Sequence, residues 1–338
     1  MLYTGIDLHK RTTVLATVDE AGRVVCEASV PSSRSAVARY FAELPAASRA
    51  TVEATSCWYW LRDLLEREGV PLTLAHAKFV KAIAYAKVKT DAVDALTLAQ
   101  LHRADLIPRA HMVSPELRPL RDLLRTRLQL VEKRVSAKNS IHRLLEKYNV
   151  AAPAALPEAA TLQARLYQEQ IELLGRQIRR LELELRPRLI ANEDIQRLLW
   201  IPGVGWRVAF TLYLEIDGIE RFLSARQFFS YCRVVPGAHN SAGKSRHSRR
   251  KDGNRYLKLA LSHAAIRAIQ HYPEIQRFYR RKARQKNPAI ARTLVQKEIA
   301  RAVYIVLKEQ VDYNHTFKGQ PLQRRKPARW PRRASPDA

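Results

Sequence analysis

Four carboxylate side chains are spaced in a way that would let them hold metal ions. Asp7 lies in the middle of a predicted strand between apolar neighbours, where a carboxylate is costly to bury unless a cation or several hydrogen-bond donors compensate its charge. Glu53 lies near the end of another short strand, and Asp91 and Asp94 share one face of a predicted helix. Carboxylate oxygens suit Mg²⁺ or Mn²⁺ and not zinc. Two such ions can clamp a scissile phosphate and activate the attacking oxygen.

The segments around these carboxylates are predicted to alternate between strands and helices. Strands are expected at 2–9, 12–19, 23–30, 50–54 and 71–75, and helices at 32–44, 58–68 and from 79 to about 106. The order βββαβαβα is typical of an α/β, RNase H-like domain, in which a mixed sheet carries carboxylates at its strand ends. Taken singly, each carboxylate is more typical of a solvated surface or a turn. Their joint placement favours a metal site.

Two long helices are predicted in the middle of the chain. Apolar residues recur every three or four positions between 117 and 135, and again between 171 and 185. A break at 151–153 separates the two runs, which predicts an antiparallel hairpin with a narrow seam like that of a coiled coil. The seam is explained either by packing between the two helices or by dimerisation with a second copy, and its narrowness favours dimerisation.

Positive charge is concentrated towards the C-terminus. The 338 residues carry 59 Lys and Arg against 32 Asp and Glu, a net charge of +27. Residues 200–338 hold 29 of the basic and 9 of the acidic side chains, whereas residues 1–110 hold 14 and 12. A basic surface of this size attracts polyanions by releasing counterions, which predicts nucleic acid as the partner. A membrane surface is the alternative, but no basic helix has the broad apolar face required, and no apolar run approaches ~20 residues.

Two motifs in the C-terminal part have the composition of phosphate-binding elements. The stretch Ile201-Pro202-Gly203-Val204-Gly205 is similar to a helix-hairpin-helix turn, whose glycines let the backbone approach a phosphate; a plain turn explains it equally well. Ser241 lies between small residues, ahead of a run of arginines and lysines. It is either a nucleophile assisted by those arginines or part of a loop that only grips phosphate. The candidate nucleic-acid contacts are Gly203, Gly205, Lys244, Arg246, Arg249, Arg250, Lys251 and Arg255.

Six motifs follow one another along residues 2–315. They are Gly5-Ile6-Asp7, Val52-Glu53-Ala54-Thr55, Lys89-Thr90-Asp91-Ala92-Val93-Asp94-Ala95, Ile201-Pro202-Gly203-Val204-Gly205, Ser241-Ala242-Gly243-Lys244 and Gly253-Asn254-Arg255-Tyr256-Leu257. Together they resemble the insertion-sequence 110 family of transposases, the DEDD or bridge-RNA-guided recombinases. The resemblance implies a RuvC-like domain of RNase H fold, linked by a coiled coil to a mostly α-helical transposase domain. Domains are therefore expected at 1–110 (RuvC-like), 111–197 (coiled-coil hairpin) and 198–316 (transposase domain), with a disordered basic tail at 317–338.

The same resemblance implies roles for individual residues and partners. Asp7, Glu53, Asp91 and Asp94 would hold Mg²⁺, with Mn²⁺ as a substitute, and Ser241 would be the nucleophile that forms a covalent linkage to DNA. The implied partners are donor and target DNA and a structured noncoding RNA that guides the reaction. Further copies of the chain would join through the coiled coil as a dimer or tetramer, away from any membrane.

Cysteine usage and two alternative functions complete the expectations. The three cysteines Cys26, Cys57 and Cys232 are widely spaced, which fits a reducing compartment and predicts a cytoplasmic, nucleoid-associated protein. A RuvC-like junction resolvase or nuclease would use metal-activated water and leave Ser241 as a phosphate contact. A non-catalytic, basic nucleic-acid-binding protein would use the acidic cluster only structurally.

Overall fold

The computed structural model describes residues 1–55, 57–83, 90–241, 244–248 and 252–322, with the backbone alone at 237–241, 244–248 and 320. The residues group into two compact units, Met1–Met112 and Val113–Ala338. Among the helices that the structure describes, none combines the length and apolar character that a membrane crossing requires.

The first unit is a five-stranded mixed sheet covered by helices. Its elements are β1 (Leu2–Leu8), β2 (Thr12–Val18), β3 (Val24–Pro31), α1 (Arg34–Ala42), β4 (Ser48–Glu53), α2 (Trp58–Arg67), β5 (Leu72–Ala75), α3 (Ala77–Ile83) and α4 (Asp91–Arg103). The strand order is β3-β2-β1-β4-β5, with β1 antiparallel to β2 and parallel to β4. This architecture is compatible with an RNase H-like domain, and the predicted order of strands and helices is confirmed up to β5.

The prediction of one helix from 79 onward needs correction. The described residues form two helices instead, α3 and α4, and residues 84–89 of the predicted helix lie outside the described residues. The second helix has its own start, because the Thr90 side chain caps it by accepting a hydrogen bond from the amide of Val93. Asp91 therefore stands in the first turn of a helix, where backbone N–H groups are free.

Helix α4 lies directly on the central strand β1 at Gly5. A Cβ atom at Gly5 would overlap the carbonyl oxygen of Ala95 and lie 2.5 Å from the amide nitrogen of Ala99. Glycine is therefore required by the close approach of two backbones and not by an unusual backbone angle. On the other face of the sheet, Ile6, Leu15 and Val52 form a core with side chains of α1 and α2.

The second unit is mostly helical. Its elements are α5 (Arg118–Tyr148), a 3₁₀ turn (Pro153–Ala155), α6 (Glu158–Leu189), α7 (Glu193–Leu198), α8 (Trp206–Ile216), α9 (Ala225–Tyr231), β6 (Gly237–Ser241), β7 (Lys244–Ser248), α10 (Arg255–His271), α11 (Pro273–Gln285), α12 (Pro288–Lys308), β8 (Thr316–Phe317) and β9 (Gln320–Pro321). The two long helices that the heptad-like spacing predicts are α5 and α6, which pack against each other. Val135, a predicted seam residue, is 48% exposed, while Ala137 is buried.

The predicted start of the disordered tail at 317 is wrong. Phe317 and Leu322 are buried in the core of the second unit, and the ring of Phe317 packs edge-on against Phe278 with 5.3 Å between centroids. Thr316–Phe317 and Gln320–Pro321 pair as a small hairpin. An isolated aromatic residue and an isolated leucine carry no periodicity, so their burial was not visible in the sequence. Residues 323–338 of the predicted tail lie outside the described residues.

The contact at Gly5 predicts how a substitution there changes the free energy of unfolding, and a second glycine serves as a control with an expected change of opposite sign. We expect Gly5→Ala to destabilise the protein by about 1–3 kcal/mol, because the added methyl group forces α4 off β1. Gly175, inside α6, is the matched control: an added Cβ meets nothing closer than an Arg179 side-chain nitrogen at 3.8 Å. Gly175→Ala should stabilise the protein by about 0.5–1 kcal/mol through the lower backbone entropy of alanine. Calorimetric unfolding measures both, and equal effects would contradict the packing argument.

Candidate active site

Two of the predicted carboxylates end neighbouring parallel strands. Ile6 of β1 pairs with Val52 of β4, so the following residues, Asp7 and Glu53, stand side by side on one face of the sheet. That face is the one covered by α4, since Gly5, two residues before Asp7, contacts α4. Thr51, two residues before Glu53, bonds to a ring nitrogen of His102 in α4. Sheet register therefore brings Asp7 and Glu53 together although 46 positions of sequence separate them.

The other two carboxylates occupy the first turn of α4. Asp91 is the first residue of the helix and is exposed, and Asp94 is half-buried one turn later. A helix N-terminus carries partial positive charge and free N–H groups, so it tolerates acidic side chains there. The packing of α4 on β1 aims this end of the helix at Asp7, and both carboxylates act electrostatically on Asp7.

His9, which the sequence analysis did not assign as a metal ligand, joins the cluster. His9 Nε2 lies 3.0 Å from Asp7 Oδ2 and 3.5 Å from Asp91 Oδ2. One potential ligand atom from each of Asp7, His9 and Asp91 falls within 4.8 Å of the others. The signal in the sequence was the spacing of two residues between Asp7 and His9, which places both on the same side of an extended chain.

Burial, opposed by His9, raises the pKa of Asp7. Desolvation of this half-buried carboxyl is the main cause, and the charges of Asp91 and Asp94 raise the pKa further. The hydrogen bond and charge of His9 act in the opposite direction. The chain thus holds several acidic groups together without fully compensating their repulsion, which is the situation that a bound cation relieves.

The donor atoms of this cluster fit a divalent cation. One oxygen each of Asp7 and Asp91 and a ring nitrogen of His9 lie within 4.8 Å of one another at the end of β1, a group that does not include Glu53 or Asp94. Carboxylate oxygens suit Mg²⁺ or Mn²⁺. A bound cation would supply charge neutralisation for a phosphate oxygen and lower the pKa of an attacking hydroxyl or water. Asp7, Glu53, Asp91 and Asp94 remain the predicted ligands, with His9 placed to orient or supplement them.

In the second unit, Ser241 ends the first strand of a β-hairpin. Strand β6 pairs antiparallel with β7, and Ser241 stands opposite Lys244, with Arg246 further along the same strand. The predicted phosphate-gripping loop is therefore a hairpin over much of its length. Arg249, Arg250 and Lys251 lie outside the described residues. Arg255 opens α10, is exposed and lies 3.4 Å from Glu132 of α5.

The glycines of the helix-hairpin-helix-like turn have different surroundings. Gly203 has a φ of +78°, and a Cβ atom there would overlap the carbonyl oxygen of Ala264 in α10. Its close approach therefore serves packing between the turn and α10. Gly205 caps α8 with open space where a Cβ would lie, so this position can accept an approaching phosphate. Phosphate binding by both glycines remains a prediction.

The root of the Ser241 hairpin is clamped by Gly253 and Asn254. Gly253 has a φ of +130°, and a Cβ atom there would come within 2.5 Å of the carbonyl oxygen of Tyr231. The next amide, that of Asn254, donates to the same carbonyl at 2.7 Å. The Asn254 side chain then caps α10 by accepting hydrogen bonds from the amides of Tyr256 and Leu257. The chain segments before and after the hairpin are thereby held together.

A fully buried acid stands behind this clamp. The Glu215 side chain has no solvent exposure and accepts hydrogen bonds from Arg121, Arg125 and the Asn254 Nδ2 at 2.7 Å. Burial alone would raise the pKa of Glu215, but the hydrogen bonds and charges of Arg125 and Arg121 hold that pKa below its usual value. The sequence analysis missed this network, although a single acid inside the apolar stretch of α8 was a usable signal.

The first prediction from this geometry concerns the carboxylate cluster. We expect Asp7→Asn to weaken Mg²⁺ or Mn²⁺ binding about tenfold or more, because it removes the central negative ligand. Asp105→Asn is the control, since Asp105 is exposed and paired with Arg109 and its positive φ of 51° is one that asparagine tolerates. Calorimetric titration with each metal measures the effect. Equal affinities for both variants would remove the cluster as the metal site.

The second prediction concerns the clamp. Asn254→Ser keeps an oxygen that can cap α10 but removes the side-chain donor to Glu215. We therefore expect the backbone amide at position 254 to lose about 10- to 100-fold of its protection against hydrogen exchange. This loss corresponds to one hydrogen bond to a charged group. Asn287→Ser makes the same change at the exposed cap of α12, where serine and asparagine cap equally well. The amide at 290, which that cap holds, should exchange as before. Unchanged exchange at 254 would contradict the role given to Asn254.

Comparisons with known proteins agree with this arrangement. A family model for DEDD transposases of the IS110 type, described as "Transposase", matches residues 4–150, and a model described as "Transposase IS116/IS110/IS902 family" matches residues 195–280. The first spans all four predicted carboxylates, and the second spans Ser241 and the clamp. Together the two models match more than half of the chain.

Curated relatives carry related descriptions over most of their length. The chain is 27% identical to a "Probable family 20 transposase" of Pseudomonas aeruginosa, over 91% of this chain and 97% of the relative. It is 28% identical to the transposase for insertion sequence element IS1111A of Coxiella burnetii, over 79% and 78%. It is also 28% identical to the transposase for IS1328 of Yersinia enterocolitica, over 71% and 75%. With its mixed sheet and carboxylate cluster, this chain belongs to the IS110 family of DNA transposases.

Proposed function

We propose that this transposase cuts and rejoins DNA strands with a divalent-cation site at Asp7, Glu53, Asp91 and Asp94 and with Ser241 as the nucleophile. The observation that carries the proposal is the convergence of Asp7, His9 and Asp91 on one point at the end of β1, where the pKa of Asp7 is raised. Such a concentration of acidic groups is unfavourable by itself. A bound Mg²⁺ ion, or Mn²⁺ as its substitute, would explain why these acidic groups lie together.

The serine step follows from the chemistry of a phosphodiester. The Ser241 oxygen attacks phosphorus, a phosphoserine ester to one DNA end forms, and the bond to the other deoxyribose oxygen breaks, so that this oxygen leaves as a hydroxyl. Lys244, Arg246, Arg249, Arg250 and Lys251 follow Ser241 within ten positions and would offset the negative charge that develops on the phosphate. Rejoining reverses the same step with a different DNA end.

We further propose that a structured noncoding RNA from the element guides the reaction. Residues 200–338 carry 29 basic and 9 acidic side chains, which supports the binding of more than one polyanion at a time. The sequence specificity would then lie in base pairing between RNA and DNA, and the protein would need only contacts to the phosphate backbones.

An oligomer, dimer or tetramer, is proposed to form through α5 and α6. On α6, Leu162, Leu166 and Leu173 are each about half exposed, with Leu183 further along at 71%. Their separations of four, seven and ten positions keep them near one side of the helix. The inner side of α6 is already used, since Ile178 and Leu185 are buried. The outer leucines therefore support a second seam with another copy.

The proposed nucleophile makes a direct prediction. Wild-type protein, incubated with Mg²⁺, the noncoding RNA of its element and a DNA duplex carrying the ends of that element, should form a covalent protein–DNA adduct that survives denaturation. Ser241→Ala should form no adduct and leave the DNA uncut, because it removes the attacking oxygen. Gel electrophoresis of end-labelled DNA measures both results.

The matched control is Ser245→Ala in the opposite strand of the same hairpin, where Ser245 pairs with Asn240. This variant should retain the adduct. Cleavage by Ser241→Ala, together with no adduct in the wild type, would instead support a junction resolvase that uses activated water. Activity of Asp7→Asn without added metal would support neither mechanism.

A further inference from the structure

Helix α11 has an orientation that its apolar side chains determine. Ile275 is fully buried, and Phe278 and Tyr279 are half-buried against the core of the second unit. These three residues fall on one side of a helix that turns about 100° per residue. The opposite side of α11 must therefore face solvent.

That opposite side consists of arginines. Arg277, Arg280, Arg281 and Arg284 are all exposed, and their spacing confines them to an arc of about 100° around the helix. We call these four residues the α11 arginine face. The segment 273–286 holds six basic residues and one acidic residue, Glu274.

The arginine face is almost uncompensated. Arg277 lies 3.8 Å from Glu274, and among the described residues no carboxylate lies within ion-pair distance of Arg280, Arg281 or Arg284. The four arginines form like-charged pairs at spacings of three and four, each of which destabilises a helix. By contrast, Arg127 and Arg207 of the same unit both form ion pairs with Glu182.

The length of the α11 arginine face favours a polyanion over other anionic partners. From Arg277 to Arg284 the helix rises about 10 Å, and duplex nucleic acid carries about one phosphate per 1.7 Å of axis, or about six over that length. A small anion would neutralise only one or two of the four charges. A lipid surface would need the apolar side of the same helix, and that side is buried in the core.

We propose that the α11 arginine face is a binding site for the phosphodiester backbone of a nucleic acid, separate from the basic hairpin that carries Ser241. The contact is electrostatic and independent of base sequence. It deepens the proposed function by assigning a second anchoring surface for DNA or RNA. It does not depend on which residue is the nucleophile.

The test measures how binding depends on salt. The full-length variant Arg280→Gln/Arg281→Gln/Arg284→Gln is compared with the wild type on a short duplex DNA of arbitrary sequence and on an RNA stem-loop. Loss of three phosphate contacts should reduce the slope of log K against log salt by about 2.7 on duplex DNA. The difference in affinity between the two proteins should therefore narrow by about 40-fold as salt rises from about 50 to 200 mM.

Two further variants show whether position and charge matter. Arg39→Gln/Arg49→Gln/Arg67→Gln removes three exposed arginines of the near-neutral first unit and should leave the slope unchanged. Arg280→Lys/Arg281→Lys/Arg284→Lys keeps the charge and should also keep the slope. If the glutamine triple variant shows no thermal unfolding transition and is therefore not folded, the double variant Arg281→Gln/Arg284→Gln replaces it. The expected reduction of the salt slope on duplex DNA is then about 1.8.

The outcomes show whether the bound backbone is that of DNA or of RNA, and they decide whether the proposal holds. A reduced slope on both probes, on DNA alone or on RNA alone supports the site and identifies what it binds. An unchanged slope on both probes, or an equal reduction in the first-unit control, overturns it. Because the measurement is one of binding, failure of Ser241→Ala to abolish the covalent adduct would leave this result unaffected.

Discussion

The contact between β1 and α4 at Gly5 is the constraint on which the carboxylate cluster depends. Only a residue without a side chain lets the backbone of α4 lie this close to the central strand. That approach directs the first turn of α4, with Asp91 and Asp94, towards Asp7 at the end of β1. The parallel register of β1 and β4 adds Glu53 to the same face. The packing of α4 on β1 and the register of β1 with β4 thus place acidic side chains of three separate segments on one face of the sheet, and small movements of α4 would separate Asp91 and Asp94 from Asp7.

Acidic side chains have different surroundings in the two units. Glu215 is fully buried, and the arginines that surround it hold its pKa below the usual value. Asp7 is half-buried, and its pKa is raised mainly by that burial, with a smaller contribution from Asp91 and Asp94 that His9 opposes. A buried carboxylate that the chain pairs with its own arginines depends on them, because loss of one partner would leave an uncompensated buried charge. A carboxylate that the chain leaves near other acids is available to a cation from outside. The same contrast separates the paired Arg127 and Arg207 from the arginine face of α11.

The Ser241 hairpin is supported from behind by a network that the hairpin itself does not contain. Asn254 links three elements at once, because its backbone bonds to Tyr231, its oxygen caps α10 and its nitrogen bonds to Glu215. Glu215 in turn bonds to arginines near the start of α5. Helix α5 and the root of the hairpin therefore share one buried charge, which restricts how they can move against each other.

The sequence by itself determined the order of strands and helices up to β5, the two long helices α5 and α6 and the residue types of the predicted metal site, because periodicity is a local property of the chain. Tertiary structure alone decided the rest. It brought His9 against Asp91, gave Gly203 a packing contact with α10, buried Phe317 and Leu322 in the core and paired Glu215 with Asn254 across 39 positions. The physical reason is that a local pattern specifies which side of an element is apolar, whereas the residue it meets depends on how distant elements pack.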